Sequence, residues 1–255
     1  MVSTRNSERA LKACLSSPRG QTRPDIEWLV VDNCSTEGTT RVARRLADRV
    51  IEWGPERSAQ GNHDVAFGSA EFCLFLDRDL CLEPGVAGQA VGASDQDSGF
   101  GVLVVPGLAF GEGFWAACRV LEKRLYLGAR EVEAAHACER DVFEESGSFD
   151  DALTGIEDWE LPDRLQARGY PIGSIQALAR RDEGSLRIVQ TFRKKRYHGR
   201  TARNHPRNAP QPALWQFIGN APVARPGLVV AQPHYTVGLL LLQDTRGCGI
   251  CGQHA

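Results

Sequence analysis

The sequence predicts an α/β protein whose mostly parallel sheet carries helices on its faces. Three observations point there. Short apolar, β-branched runs such as "EWLVVD", "FCLFLD" and "GVLVVPG" read as buried strands. Stretches with helical spacing alternate with them, as crossover connections between parallel strands require. At 255 residues, 42% hydrophobic and 24% charged, the chain has the length and composition of a soluble globular protein with a sizeable core.

The elements follow in order. "ERALKACL" places Ala10, Leu11, Cys14 and Leu15 on one helical stripe, with Asn6 or Ser7 as its cap. The strand Glu27–Asp32 comes next, then a capped turn and a helix whose Val42 and Leu46 recur at helical spacing. "VIEW" is a second strand, "QGNHDVAFGSA" a helix and "FCLFLD" a third strand. "GVLVVPG" adds a strand and "GFWAACRVLEKRLY" an amphipathic helix. Proline is tolerated in the first turn of a helix, so Pro162 sets a helix start near Glu157–Trp159. "PIGSIQALARRDEG" closes the sheet as one strand, and "SLRIVQTFRKKRYHG" forms a final basic helix. There is no internal repeat and no low-complexity tract.

Charge is unevenly placed. No Asp or Glu occurs between Glu183 and Asp244, while that window holds nine cations from Arg187 to Arg225, leaving the remainder of the chain at −11. Such a window suits phosphates or an anionic membrane surface, and equally a solvated helix face with a basic tail. It has few stacking aromatics, Phe192 and Tyr197 among them, which argues against nucleic acid as a partner. Eight cysteines without a repeating spacing fit a reduced, cytoplasmic protein. Cys248 and Cys251 form a C-x-x-C pair, but a zinc ribbon needs a second one. Arg5, Glu8 and Arg9 interrupt any apolar leader at the N-terminus. The uncharged run Pro226–Gln243 is a poor membrane span, although its "VGLLLL" suits a bilayer surface.

Ligands of open α/β sheets bind at the carboxyl ends of parallel strands, where Asp32 ends one strand and Asp77 and Asp79 another. Strand alternation puts Asp77 and Asp79 on one face and Arg78 on the other. Two close carboxylates repel, and a hard divalent ion that keeps positions open for substrate phosphates relieves the cost. A surface ion pair at a strand end is the simpler reading of the same residues. Phosphatases of the haloacid dehalogenase type also follow a strand with Asp-x-Asp, but theirs resembles D-x-D-x-T/V near the N-terminus, and Cys81 breaks that pattern. Glu157 and Asp158 open a helix, whose dipole favours their ionised forms, as a general base requires. An acidic first turn satisfies the pattern too.

Together, "TRNSERALKACLSSPRGQTRPDIEWLVVDNCSTEGT", "GPERSAQGNHDVAFGSAEFCLFLDRDLCLEPG" and "FEESGSFDDALTGIEDWELPDRLQARGY" resemble the family 2 glycosyltransferases, from about Ser3 to about Pro212. "GEGFWAACRVLEKRLY" and "DEGSLRIVQTFRKKRYHGRTARNHP" look like a bacterial and archaeal branch acting on envelope glycans or glycolipids. The resemblance implies the glycosyltransferase A fold, with a Rossmann-like, mostly parallel central sheet flanked by helices. It implies a nucleotide-sugar-binding half over residues 1–100, an acceptor and catalytic-base half over 101–200, and a basic, Pro-rich tail over 201–255. Asp32 would contact the nucleotide base, with Asn33 and Ser35 shaping the same turn. Arg57 and Asn62 would lie near the nucleotide or its phosphates. Asp77 and Asp79 would ligate Mg²⁺ or Mn²⁺, with Asp77 also near the donor ribose. Asp158 would be the catalytic base, aided by Glu157, and Trp159 and Trp115 would meet the acceptor. The implied reaction is inverting transfer from a nucleotide-diphosphate sugar to a glycan or lipid-linked hydroxyl in the cytoplasm, where peripheral contact with the inner face of the plasma membrane is compatible with it.

Three features depart from the family pattern. Only "MVS" precedes Thr4 where a full apolar strand is usual, so a strand of the sheet is expected to be missing. Arg181 replaces a His before "DEG"; it cannot ligate a cation but can clamp phosphate. Arg78 stands where a small or acidic residue is usual. A degenerate, non-catalytic nucleotide- or glycan-binding relative is the alternative these departures leave open.

Overall fold

The structure, a computed structural model, describes residues 1–23, 25–54, 56–95, 99–129, 133, 135–153, 157–186, 188–189, 191 and 225–247. The cations from Arg187 to Arg207, most of the expected basic helix, and Cys248 and Cys251 lie outside them. The chain divides into two compact units that run differently from consecutive halves. Met1–Pro106 with Ala134–Arg180 forms one, and Gly107–Glu133 with Arg181–Ala255 the other.

In the first unit, β1 (Val2–Thr4), β2 (Leu29–Asp32), β3 (Arg49–Glu52) and β5 (Leu76–Asp77) make a parallel sheet in the order β3-β2-β1-β5. The strand expected to be missing is therefore present and lies inside the sheet. Three residues suffice because Val2 pairs with Val30 on one side and Leu76 on the other, and Val2 and Thr4 are buried. The helices α1 (Glu8–Ser16), α2 (Thr39–Leu46) and α3 (Arg57–Phe67) connect these strands. Leu11, Cys14 and Leu15 of α1 enter the core with Val2 and Val30, as their spacing requires.

"FCLFLD" is two strands. β4 (Phe72–Leu74) pairs antiparallel with β9 (Ala135–Glu139), whereas β5 pairs parallel with β1. The chain changes sheets at Phe75, whose N–H donates to the His136 carbonyl at 2.6 Å and whose ring enters the apolar cluster with Phe143 and Phe149. The second sheet runs β10-β7-β9-β4, with β7 (Val102–Val104) parallel to β10 (Ile172–Ser174) and antiparallel to β9. β6 (Leu80–Leu82), α4 (Val86–Asp95), α6 (Arg140–Ser146) and α7 (Glu157–Ala167) complete the elements of this unit.

The expected closing strand is also two, because the chain leaves β10 and bends before β11 (Ala179–Ser185). Gln89 Oε1 holds that bend by accepting the N–H groups of Gln176 and Ala177. α7 begins at Glu157 as expected, yet Pro162 falls in its second turn. Proline lacks an N–H, so the Asp158 carbonyl forgoes the helical bond it would otherwise accept.

In the second unit, β8 (Gly107–Glu112) leads into α5 (Phe114–Tyr126), and α8 (Pro226–Ala231) into α9 (Pro233–Gly247). Leu121, Leu125 and Tyr126 pack against Leu239. Arg225 closes the end of α5 by donating to the carbonyls of Arg124 and Leu127.

Asp64 on α3 is fully buried, and neither carboxylate oxygen has a hydrogen-bond partner. Burial pushes its carboxyl up to about 7, against the pull of the Met1 amino group and Arg49. An unfolded aspartate titrates near ~3.9, so the folded chain holds this proton more tightly. The stability involved is complete below about pH 4 and is lost as pH rises towards 7. Asp64→Asn should therefore melt near the wild-type temperature at about pH 4 and several degrees above it beyond pH 7. Equal melting of the two proteins at both pH values would show that Asp64 titrates as an exposed aspartate does.

Candidate active site

Arg57 opens α3, and its guanidinium meets three carboxylates: Nη1 pairs with Asp77, Nη2 with Asp158, and Nε with Glu157 Oε1 at 2.6 Å. Asp77 ends the parallel strand β5, whereas Glu157 and Asp158 open α7, so the guanidinium joins a strand end to a helix start some eighty residues later. Against the desolvation that lowers it, the charges of Asp158, Asp77 and Glu157 hold the Arg57 guanidinium well above its ordinary value. The same residues line a small cavity with Ser3, Gly61, Asp64 and His136.

Local structure explains how α3 places these groups. Ser58 Oγ donates to the Leu153 carbonyl at 2.9 Å. Asn62 Nδ2 donates to the Phe149 carbonyl and to Asp151 Oδ1, and Asn62 Oδ1 accepts the Phe149 N–H. Gly61 leaves room for the Phe149 ring, since a Cβ there would lie 2.9 Å from it. One helix thus presents Arg57 and also anchors the loop that leads towards α7. Asn62, expected near the nucleotide, secures this loop through its amide. Ser58, Gln60 and Gly61 were not singled out in the sequence, where nothing local marks them. Gln60 Nε2 donates to the carbonyls of Val31 and Trp53, tying α3 to the ends of β2 and β3.

Asp32 is fully buried, with both oxygens engaged by its own loop. Ser35 N–H and Thr40 Oγ1 donate to Oδ2, and Ser35 Oγ donates to Oδ1 at 2.5 Å. Asn33 donates its backbone N–H to the Thr4 carbonyl, and Ser35 Oγ accepts the Asn6 N–H. The three residues shape one turn at the carboxyl edge of the sheet, and Asp32 holds it from within.

Arg78 and Asp79 form the turn after β5, so strand alternation stops at Asp77 and does not set the direction of Asp79. Burial pushes the Cys14 thiol up, with smaller contributions from Cys81, Asp79 and Asp77, and Cys14 Sγ lies 3.8 Å from the Asp77 carbonyl oxygen. Among the described residues no group of three or more His, Cys, Asp and Glu side chains stands ready for a metal. Two carboxylates on a strand end and its turn nonetheless suit Mg²⁺ or Mn²⁺, hard ions that take their remaining ligands from substrate phosphates and water. Trp159 lies in the first turn of α7, beside Asp158 in sequence.

The other two expected residues belong to the second unit. Trp115 sits in the first turn of α5 with its ring edge-on to Phe114. Arg181 on β11 lies near Lys123 and Arg119. Burial, together with those two arginines, lowers the Lys123 ammonium to about 8.

Residues 1–124 match the sequence model of glycosyl transferase family 2. No curated protein matches the sequence significantly. Among solved structures, S. aureus TarS is 16% identical with a TM-score of 0.57, over 96% of this chain and 48% of that one, so the chain spans about half of TarS. The mannosyltransferase PcManGT from Pyrobaculum calidifontis, solved with GDP-Man and Mn²⁺, is 18% identical with a TM-score of 0.62, over 95% and 74%. Glucosyl-3-phosphoglycerate synthase from Mycobacterium tuberculosis, solved with Mn²⁺, UDP and phosphoglyceric acid, is 17% identical with a TM-score of 0.54, over 79% and 75%. At such identities the likeness is one of fold, and the fold is the glycosyltransferase A fold. The family 2 match covers residues 1–124, just under half of the chain, and supports a relationship to the glycosyltransferases.

Proposed function

We propose that the protein transfers a sugar from a nucleotide-diphosphate donor to a hydroxyl of a glycan or lipid-linked acceptor, with inversion at the anomeric carbon. Asp158 takes the proton of the acceptor hydroxyl, whose oxygen forms the new glycosidic bond as the bond to the diphosphate breaks. The diphosphate leaves with the electron pair. Single displacement inverts the centre. Glu157 fixes Arg57, the turn formed by Asp32, Asn33 and Ser35 borders the nucleotide base, and Trp159 meets the acceptor. Asp77 and Asp79 would hold Mg²⁺ or Mn²⁺, which when bound neutralises charge on the leaving group. The nucleotides and Mn²⁺ in PcManGT and the mycobacterial synthase support this assignment.

One observation carries the reading: a strand-end carboxylate, Asp77, and a helix-start carboxylate, Asp158, share one guanidinium. Incubation with a panel of nucleotide-sugars and Mn²⁺, following nucleoside diphosphate release and the anomeric configuration of the product, tests it. A retained configuration would reject the single displacement. No turnover with any donor, alongside nucleotide affinity unchanged by Asp79→Ala, would favour a non-catalytic binder. Arg57 is the observation on that side, since it occupies the Asp158 oxygen that an acceptor hydroxyl would need.

An anionic membrane is the second partner we infer. No helix among the described residues is long and apolar enough to cross a membrane. Val230, Val237, Leu240 and Leu241 are nevertheless exposed on α8 and α9, just after the basic window. Apolar side chains beside cations suit the surface of an anionic bilayer. Neutralising Lys194, Lys195 and Arg196 together should reduce co-sedimentation with phosphatidylglycerol vesicles by at least tenfold, at about 1 kcal/mol per cation near the surface. Unchanged co-sedimentation would argue against membrane docking through this window.

A further inference from the structure

The three arms of Arg57 are not equivalent. Glu157, on the Nε arm, is 2% exposed, whereas Asp77 and Asp158, on the two Nη arms, are 21% and 22% exposed. Nε–Glu157 is therefore a buried anchor, and the Nη arms hold the two carboxylates that border open space. Those two have separate tasks in the reaction proposed above: Asp77 towards the cation, Asp158 towards the acceptor hydroxyl. An oxygen held by a guanidinium N–H is occupied, and must give up that partner to meet a cation or a hydroxyl.

We propose that Arg57 is an internal counter-cation that keeps a divalent ion out of the free site and releases Asp77 and Asp158 when the donor diphosphate offers its Nη arms a partner. The inference rests on the glycosyl-transfer reading and adds an order of binding to it. Its physical basis is charge. Three neighbouring carboxylates without a counter-ion would repel, and one would take up a proton. Arg57 spares them that and keeps the acidic centre assembled without metal. The exchange is chemically matched, because the planar fork that fits a carboxylate fits a phosphate equally well. Glu157 keeps the side chain in place while its outer arms change partners. Metal and nucleotide are thus coupled through one residue: the cation binds well where the nucleotide has drawn the guanidinium away.

The test is Mn²⁺ binding by the full chain, with free Mn²⁺ followed by electron paramagnetic resonance, alone and with saturating UDP, GDP, dTDP, CDP or ADP. Wild-type protein should bind Mn²⁺ weakly alone and about tenfold more tightly with its matching nucleoside diphosphate. Arg57→Gln should bind Mn²⁺ alone about tenfold more tightly than wild type and lose most of the coupling to nucleotide. A melting curve establishes that the variant is folded. If it is not, Arg57→Lys replaces it, because an ammonium lacks the planar fork that serves the three carboxylates from separate nitrogens, and a smaller gain of the same sign is expected. A folded variant with wild-type affinity for Mn²⁺ alone overturns the proposal and leaves the transferase reading intact. Wild-type protein that binds no Mn²⁺, with or without any of the five nucleotides, overturns the metal-assisted reading itself and this inference with it.

Discussion

Asp158→Asn should lower kcat by about 10²- to 10⁴-fold, the usual range for removal of a general base, while donor KM stays within a few-fold of wild type. The asymmetry follows from where the residue sits. Asp158 opens α7, while most groups expected to hold the donor lie on β5, its following turn and the loop after β2. Arg57 on α3 keeps its Glu157 and Asp77 partners in the variant. Asparagine keeps an oxygen that can accept from Arg57 but cannot take a proton from a hydroxyl. Its carboxylate is partly exposed, so removing one charge from the pair should cost little stability, and the loss in rate is not a loss of fold. Glu157→Gln is the informative contrast. Glu157 is buried and touches Arg57 Nε, so its change should move Arg57 and reduce both stability and turnover. The measurement is steady-state kinetics with thermal melts on both variants. Asp158→Asn with kcat within threefold of wild type would remove this residue from the role of base.

The strand–helix alternation was legible because it rests on local patterns. Buried runs such as "EWLVVD" and the stripe Leu11, Cys14, Leu15 declare their period within a few residues. β1 escaped because three residues carry no period; its place in the sheet is decided by Val30 and Leu76, distant in sequence. The break in "FCLFLD" was hidden for the same reason, since Phe75 is as apolar as its neighbours and only pairing with β9 and β1 shows that it belongs to neither strand ladder. At the site, carboxylates could be found because each stands at an element boundary. Their common partner was visible as a residue but not as a bridge. That Arg57 reaches Asp77, Glu157 and Asp158 depends on how α3 packs, and Ser58, Gln60, Gly61 and Asn62 set this through contacts with segments 29 to 95 residues away. Polar residues in a helix look like solvent-facing positions in the sequence. Here their partners are backbone carbonyls of other segments, which have no sequence signature.

Phe143→Ala should cost about 3–5 kcal/mol, a large share of the ~5–15 kcal/mol that holds a domain together. Phe143 is fully buried on α6, with its ring centroid 5.1 Å from that of Phe75 and 4.9 Å from that of Phe149. Val65, Leu161 and Leu165 belong to the same cluster. The ring therefore joins three pieces of the site scaffold: the point where the chain changes sheets, the loop held by Asn62, and the helix that carries Asp158. Truncation leaves a void the size of a phenyl group, and the surrounding helices can close it only by moving those pieces. Leucine fills much of that space, so Phe143→Leu should cost clearly less than Phe143→Ala. Because the Phe143 and Phe149 rings touch, the double variant with Phe149→Ala should fall short of the sum of the two single losses. Urea unfolding measures all of these. A loss below about 1 kcal/mol for Phe143→Ala, or strict additivity with Phe149→Ala, would mean that the rings do not act as one cluster. The Asn62 clamp and α3 would then hold the site in place without them. If the expected loss is seen, the geometry around Arg57 depends on an apolar cluster, two of whose rings, Phe75 and Phe149, also line the cavity beside it.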